Sequence, residues 1–316
     1  MTIRQGAGTP TDINVLAFSG DAKFLAAGKY FGRVVVWDFA GRKSVRAIET
    51  GQGIVIAVAL NSDGTILATG GNGDKFSVKL WGVSSGKLIK TIKVGLDFVT
   101  DLRFDRSGKW LSVTYNQGRA YVFDTVTLSP VLQLKDTQVI RFLENGSLLL
   151  SEGSEGFSTF STADWSKRGT IPKWEGYPEL VAVDALRDRM AVYQSSDGGV
   201  HLNRLSTGDP LDLVPQFPKQ RKRPRFVKFS PDGSYLYSSI DDRLWLADTR
   251  GNGVCGSAVM YRVAGALSPD GRWVVGSKDE SFSKERRDGV WVWDTEKLVA
   301  ACGITPPGGN NSVPGF

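Results

Sequence analysis

The chain has 316 residues, 41% hydrophobic and 23% charged, with 39 Lys and Arg against 33 Asp and Glu and a formal net charge of +6. This is the balance of a globular protein, and no apolar run nears the ~18 residues of a membrane-crossing helix. One histidine and two cysteines leave little material for a metal centre or a disulfide framework.

The predicted elements follow one plan from end to end. Residues 1–13 form an N-terminal extension. The first unit then runs through a short apolar strand (Val15 to Phe18), a turn (Ser19-Gly20-Asp21-Ala22), a second strand (Phe24 to Ala27) and a third, Val35-Val36-Trp37-Asp38. The third-strand phrase returns as Lys79-Leu80-Trp81-Gly82, Tyr121-Val122-Phe123-Asp124 and Val292-Trp293-Asp294, with worn copies at Phe160-Ser161, Asn203-Arg204 and Ala247-Asp248. Its period of about 40 to 45 residues is the propeller repeat length. The turn keeps the same beat, most plainly at Ser230-Pro231-Asp232-Gly233 and Ser268-Pro269-Asp270-Gly271. Ser at the first corner, Pro at the second and Gly at the fourth are what a type I turn between antiparallel strands selects. Near-continuous apolarity in the first and third runs of each unit implies strands covered on both faces, and a fourth, more polar run such as Lys87 to Lys93 closes the unit.

These two markers resemble the WD40 family of β-propellers over positions 14–303. The resemblance implies an all-β fold, a seven-bladed β-propeller of four-stranded antiparallel blades around a central channel. It also implies work as a non-enzymatic protein-protein interaction scaffold, one subunit of a larger complex. Units four and five lack the Trp-Asp pair, which leaves six or eight blades as competing counts. Family repeats carry a Gly-His pair whose His joins a buried hydrogen-bond network ending on the Trp. With His201 the only histidine, and on the third strand of unit five, no blade is expected to build that network.

Two routes can close the ring. Either Lys297 to Ile304 forms the last outer strand, or Thr2 to Ala7 supplies it while Glu296 to Cys302 coils into a helix. Residues 304–316 read as a Gly/Pro/Asn-rich tail. The start, Met1 to Gly6, lacks a signal-peptide pattern, so a cytoplasmic chain is expected. Cys255 and Cys302 read as inert packing thiols near the fourth strands of neighbouring units.

Catalytic chemistry is thin. No cofactor or metal site is expected, His201 and the turn pair Asp241-Asp242 read as structural, and no Gly-rich loop leads from a strand into a helix. In this fold the loops from fourth to first strands and from second to third strands share one face. Two of them are basic: one carries Lys219, Arg221, Lys222, Arg223 and Arg225, the other Lys284, Arg286 and Arg287. Such a rim favours a protein partner with an acidic surface, mainly by speeding encounter. Trp174, Tyr177 and Phe217 add rings of the hot-spot type to that face, whereas Tyr30 and Phe31 are expected to pack beneath their own turn. A nucleic acid gripped by the basic rim is an alternative, marked by steep salt dependence, though no stacking platform or groove-reading helix supports it. A small-molecule enzyme of the propeller lactonase or quinoprotein type would need Asp12, Asp97, Glu179 and Arg225 to converge at the channel mouth.

Overall fold

The protein is described by a computed structural model over residues 2–4, 13–73, 76–93, 97–138, 140–143, 147–151, 156–171, 178–194, 198–211, 217, 224, 226–240, 243–251, 253–259, 262–278 and 289–303. Its strands gather into seven separate antiparallel sheets, one for each sequence unit, which settles the count left open by the worn repeats. Six have four strands. The fifth shows three among the described residues, and the Leu211 N–H donating to the Leu202 carbonyl at 3.0 Å begins a further run beside the third.

Sequence explains why the sheets stack. In the third strand of blade one (Arg33–Asp38), Val34, Val35, Val36 and Trp37 are all buried, so both faces of the sheet must be covered. No blade can do that alone. The buried apolar residues accordingly separate into seven clusters, each bridging two consecutive blades. One of them joins the ends of the series, with Val275, Val290 and Val292 of blade seven against Ile13, Leu16 and Leu25 of blade one. The first strands of blades seven (Arg262–Leu267), one (Ile13–Phe18), two (Val55–Leu60) and three (Val99–Phe104) touch in succession, which sets these strands along the axis.

The turns work as their sequences indicate. The Ser19 hydroxyl donates to Asp21 at 2.6 Å and accepts from the Phe24 N–H at 3.0 Å, and Ser230 does the same with Asp232 and Tyr235 at 2.5 and 2.9 Å. The fourth corner needs positive φ, supplied by Gly64, Gly108, Gly233 and Gly271. In blade one Ala22 is held there at φ 60°.

The N-terminal strand closes the ring. Thr2–Arg4 pairs antiparallel with the third strand of blade seven (Gly289–Asp294), Thr2 lying opposite Trp291. The chain beyond that strand turns into a helix, Thr295–Ala301, whose first turn is capped by the Asp294 carboxylate accepting from the Lys297 N–H at 3.2 Å. Leu298 and Val299 bury against blades six and seven, and Cys302 packs on the same cluster. There it forms a disulfide with Cys255, on the fourth strand of blade six (Val254–Val259). This corrects the reading of the two cysteines as inert thiols. Because the last segment is a helix rather than a strand, it folds back over the junction and brings two Cα atoms 47 positions apart to within 5.7 Å.

Candidate functional site

Of the residues expected to form a binding rim, Trp174, Tyr177, Lys219, Arg221, Lys222, Arg223, Arg225, Lys284, Arg286 and Arg287 lie outside the described residues, as do Asp241 and Asp242. Phe217 is described and is buried. Its ring packs with Val200, Leu202 and Val227 between blades five and six, so it is core rather than an exposed anchor. Of the residues that a small-molecule enzyme would need at the channel mouth, Asp12 and Arg225 lie outside the described residues and Asp97 is described. Its carboxylate accepts from the Phe98 N–H at 2.7 Å and from the Asn116 amide at 3.3 Å, tying two loops together.

The same face over blades one and two is built in detail. The turn Tyr30-Phe31-Gly32 joins the second and third strands of blade one, and the crossing from blade one to blade two runs beside it. The Thr50 N–H and the Thr50 hydroxyl both donate to the Gly32 carbonyl, each at 2.7 Å. Gly32 itself has φ +74°, and a Cβ there would lie 3.2 Å from the Gly53 carbonyl, so the tight approach of turn and crossing depends on glycine. The Asn72 side chain accepts from the Ile54 N–H at 2.8 Å, the Asn72 N–H donates back to the Ile54 carbonyl at 3.2 Å, and the Gly73 N–H reaches the Gln52 carbonyl at 2.9 Å. Three connecting segments are thereby fixed to one another. Phe31 stands out from this fixed surface at 82% exposure with Tyr30 beside it at 39%. Both were expected to tuck under the turn. The turn lies too close to the crossing to leave a space beneath it.

Under this platform lies a buried network that the sequence reading placed in no blade. Gln52 is fully buried. Its amide donates to the Ser77 carbonyl at 2.6 Å and to the Thr69 carbonyl at 3.2 Å, and its carbonyl oxygen accepts from the Thr69 hydroxyl at 2.5 Å. The Thr69 hydroxyl in turn accepts from the Trp81 indole N–H at 2.9 Å. Glutamine can both donate and accept, so it fills the bridging role that the family gives to histidine. The signal was present as Gly51-Gln52 in the place of Gly-His. Blade two therefore coheres through this network as well as through packing.

His201 sits half-buried on the third strand of blade five (Gly199–Arg204), opposite Val192. Among the described residues no group of three or more His, Cys, Asp or Glu is placed to hold a metal ion, and no helix is long and apolar enough to cross a membrane.

The comparisons agree with this geometry. The WD40 family model, "WD domain, G-beta repeat", matches residues 43–82. That span runs from the fourth strand of blade one (Lys43–Glu49) to the end of the third strand of blade two (Val78–Gly82), and so contains the Gln52, Thr69 and Trp81 network. A "Guanine nucleotide-binding protein subunit beta" of Oryza sativa subsp. japonica is 26% identical over 171 residues, 52% of this chain. The match takes in 44% of that relative's length. Seven sheets seal one another in a closed ring, so this chain is a seven-bladed β-propeller, and its span from residue 43 to 82 is similar to the WD40 repeat.

Proposed function

We propose that the protein is a non-enzymatic scaffold that docks a protein partner on the face formed by its fourth-to-first and second-to-third strand loops, as one subunit of a larger complex. The observation that carries the reading is Phe31, a ring left almost wholly in water on a turn pinned by Thr50 and Gly32. An aromatic held rigidly gives up little conformational entropy on binding, which is what hot-spot residues share. Tyr30 widens the patch, and a partner reaching around the face would meet the basic loops that carry Arg221, Lys222, Arg223 and Arg225 and Lys284, Arg286 and Arg287. Those loops favour an acidic partner surface, while the ring supplies the apolar anchor. The relative's name speaks of a subunit, in keeping with work inside an assembly.

The test is quantitative affinity purification from the native cell with three baits: wild type, Phe31→Ala, and a variant with Arg221, Lys222, Arg223 and Arg225 changed to Glu. Loss of a hot spot costs about 2 kcal/mol, so Phe31→Ala should weaken the principal partner about 30-fold. The charge-reversed loop should slow association and flatten its salt dependence. Partners retained equally by all three baits would remove this face from consideration. Capture of nucleic acid with affinity falling steeply in salt would replace the reading with the basic-rim alternative.

A further inference from the structure

The outer edges of the blades repeat one irregularity. In blades one, two, three, four and six the pairing of the third strand with the fourth skips a residue, and the unpaired residue is the extra one of a bulge: Val45, Ile89, Val131, Arg168 and Ser257. It is aliphatic in three consecutive blades and polar in the other two. In the fourth strand of blade two (Leu88–Ile92) the residue before the bulge is aliphatic as well, and Leu88 and Ile89 stand 47% and 56% exposed, with Val45 at 36% on the neighbouring edge. A bulge interrupts the row of backbone groups along an edge, so this edge is poorly suited to pairing with a strand of another chain. What it offers is side chains.

Blades one and two are tied together at this edge. Arg46 lies opposite Val36 and Leu88 opposite Trp81, and both partners belong to the apolar cluster shared by blades one and two, so Arg46 and Leu88 border one seam from its two sides. The Arg46 guanidinium crosses it and donates to the Ser84 carbonyl, in the turn that leads into Leu88. Gly86 of that turn has φ +67°, and a Cβ there would come within 3.0 Å of Arg46 Cδ, so stem and turn are in close contact. Leu88 and Ile89 are therefore presented by a strand fixed to the neighbouring blade.

The charge of this rim has one sign. Residues 39–48 contain three cations, residues 75–96 contain five, and neither span contains an Asp or Glu. Lys43, Lys87 and Lys90 are exposed and make no ion pair among the described residues. The acids that border the first span are engaged: Asp38 accepts from the Gly41 N–H at 2.9 Å, and Glu49 pairs with Arg33 at 3.3 Å. Asp21 and Asp63 are bonded within their own turns, to Ser19 and Lys23 and to Thr65. Of those that border the second span, Asp97 is held in its loop by Phe98 and Asn116, and Asp74 lies outside the described residues.

We propose that the outer seam between blades one and two is a second docking surface, for an acidic segment of a partner protein that lays an aliphatic side chain on Leu88 and Ile89 and its carboxylates on Lys43, Lys87 and Lys90. Like charges repel a second copy of this edge, and residues 304–316 of this chain hold no acid to answer the lysines. Aliphatic side chains give nucleic-acid bases no ring to stack on. Two half-exposed side chains are too little apolar area to anchor the protein in a lipid surface. A short peptide segment needs no more than this: charge steers it to the rim, and contact with the fixed aliphatic pair holds it.

The test uses the full chain and a fluorescein-labelled peptide repeating Glu-Glu-Leu-Ser, followed by anisotropy, with hydrogen exchange to locate the contact. The peptide should bind with an affinity that falls as salt is added, and should slow exchange in residues 43–49 and 84–92. Leu88→Ser and Ile89→Ser should each weaken it about tenfold, because each gives up the burial of about half an aliphatic side chain. Lys87→Glu combined with Lys90→Glu should weaken it and flatten the salt dependence. All four side chains are exposed, so these variants should melt as wild type does. Phe31→Ala, on the loop face, should bind the peptide unimpaired, which separates this outcome from that of the partner experiment above. Absence of binding, equal binding of a peptide with Ser in place of Leu, exchange protection on the loop face instead of the seam, or unimpaired binding by Ile89→Ser would each overturn the proposal. Tighter binding to phosphatidylserine vesicles than to the peptide, lost in the same variants, would replace it with a lipid surface.

Discussion

Replacing Gln52 by Leu keeps roughly the shape of the side chain and removes its polar end. Three hydrogen bonds disappear, those to the Ser77 and Thr69 carbonyls and that from the Thr69 hydroxyl. A buried hydrogen bond contributes about 1 kcal/mol net, so the substitution should cost about 3 kcal/mol. The low dielectric of the site keeps the loss from being smaller, since Gln52 and Thr69 are both fully buried and water cannot replace the missing partner. In urea, at an m-value of about 3 kcal/mol/M, this is a midpoint lowered by about 1 M. Circular dichroism of the whole ring reads the midpoint. Gln52→His should recover part of the loss, because imidazole also donates and accepts, although from a shorter reach. A Gln52→Leu midpoint within error of wild type would refute the claim that blade two is held by this network, and would return its cohesion to packing alone.

Three other outcomes follow from the same structure. The Cys255–Cys302 disulfide closes a loop of 47 residues, for which loop entropy gives about 4 kcal/mol, so reduction or Cys302→Ser should lower the urea midpoint; an unchanged midpoint with both thiols titrating would deny the staple. Such a bond belongs to oxidising surroundings and runs against the cytoplasmic expectation, so thiol labelling in the cell of origin is the matching measurement. Ala22 occupies a left-handed conformation that costs an L-residue about 1 kcal/mol or more, whereas glycine adds unfolded-state entropy of somewhat less; Ala22→Gly should stabilise by about 0.5 kcal/mol, checked by chemical denaturation. The turn carboxylates Asp21 and Asp232 are raised by burial but pulled further down by their Ser19 and Ser230 hydroxyl bonds, so both lie below the ordinary 3.8 when folded. Their stabilisation is complete above that value and is lost as the pH falls through the folded pKa, and Asp232→Asn should flatten the acid limb of a pH series of unfolding midpoints.

How far the site was legible differs residue by residue. The repeated Trp and the Ser-Pro-Asp-Gly turn marked the better-kept units, because each is a local instruction: a strand covered on both faces, a turn with fixed corner chemistry; the worn units four and five left the count open until the seven sheets settled it. Phe31 and Phe217 could not be sorted by sequence. Each is a lone ring in a loop, and exposure depends on what approaches from elsewhere: Thr50 closing the floor under one, Val200, Leu202 and Val227 enclosing the other.

The repeat by itself determined the number of strands per unit, their order, and the need for every blade to have two neighbours, since apolar residues on both faces of a short sheet admit no other solution. Only the tertiary structure decided what the ring brings together at a distance. The N-terminal strand was chosen to close blade seven, Cys255 met Cys302, and Gln52 was joined to Trp81 through Thr69. A repeating sequence states what each blade looks like. Contacts between residues tens of positions apart follow from ring closure, which no single repeat encodes.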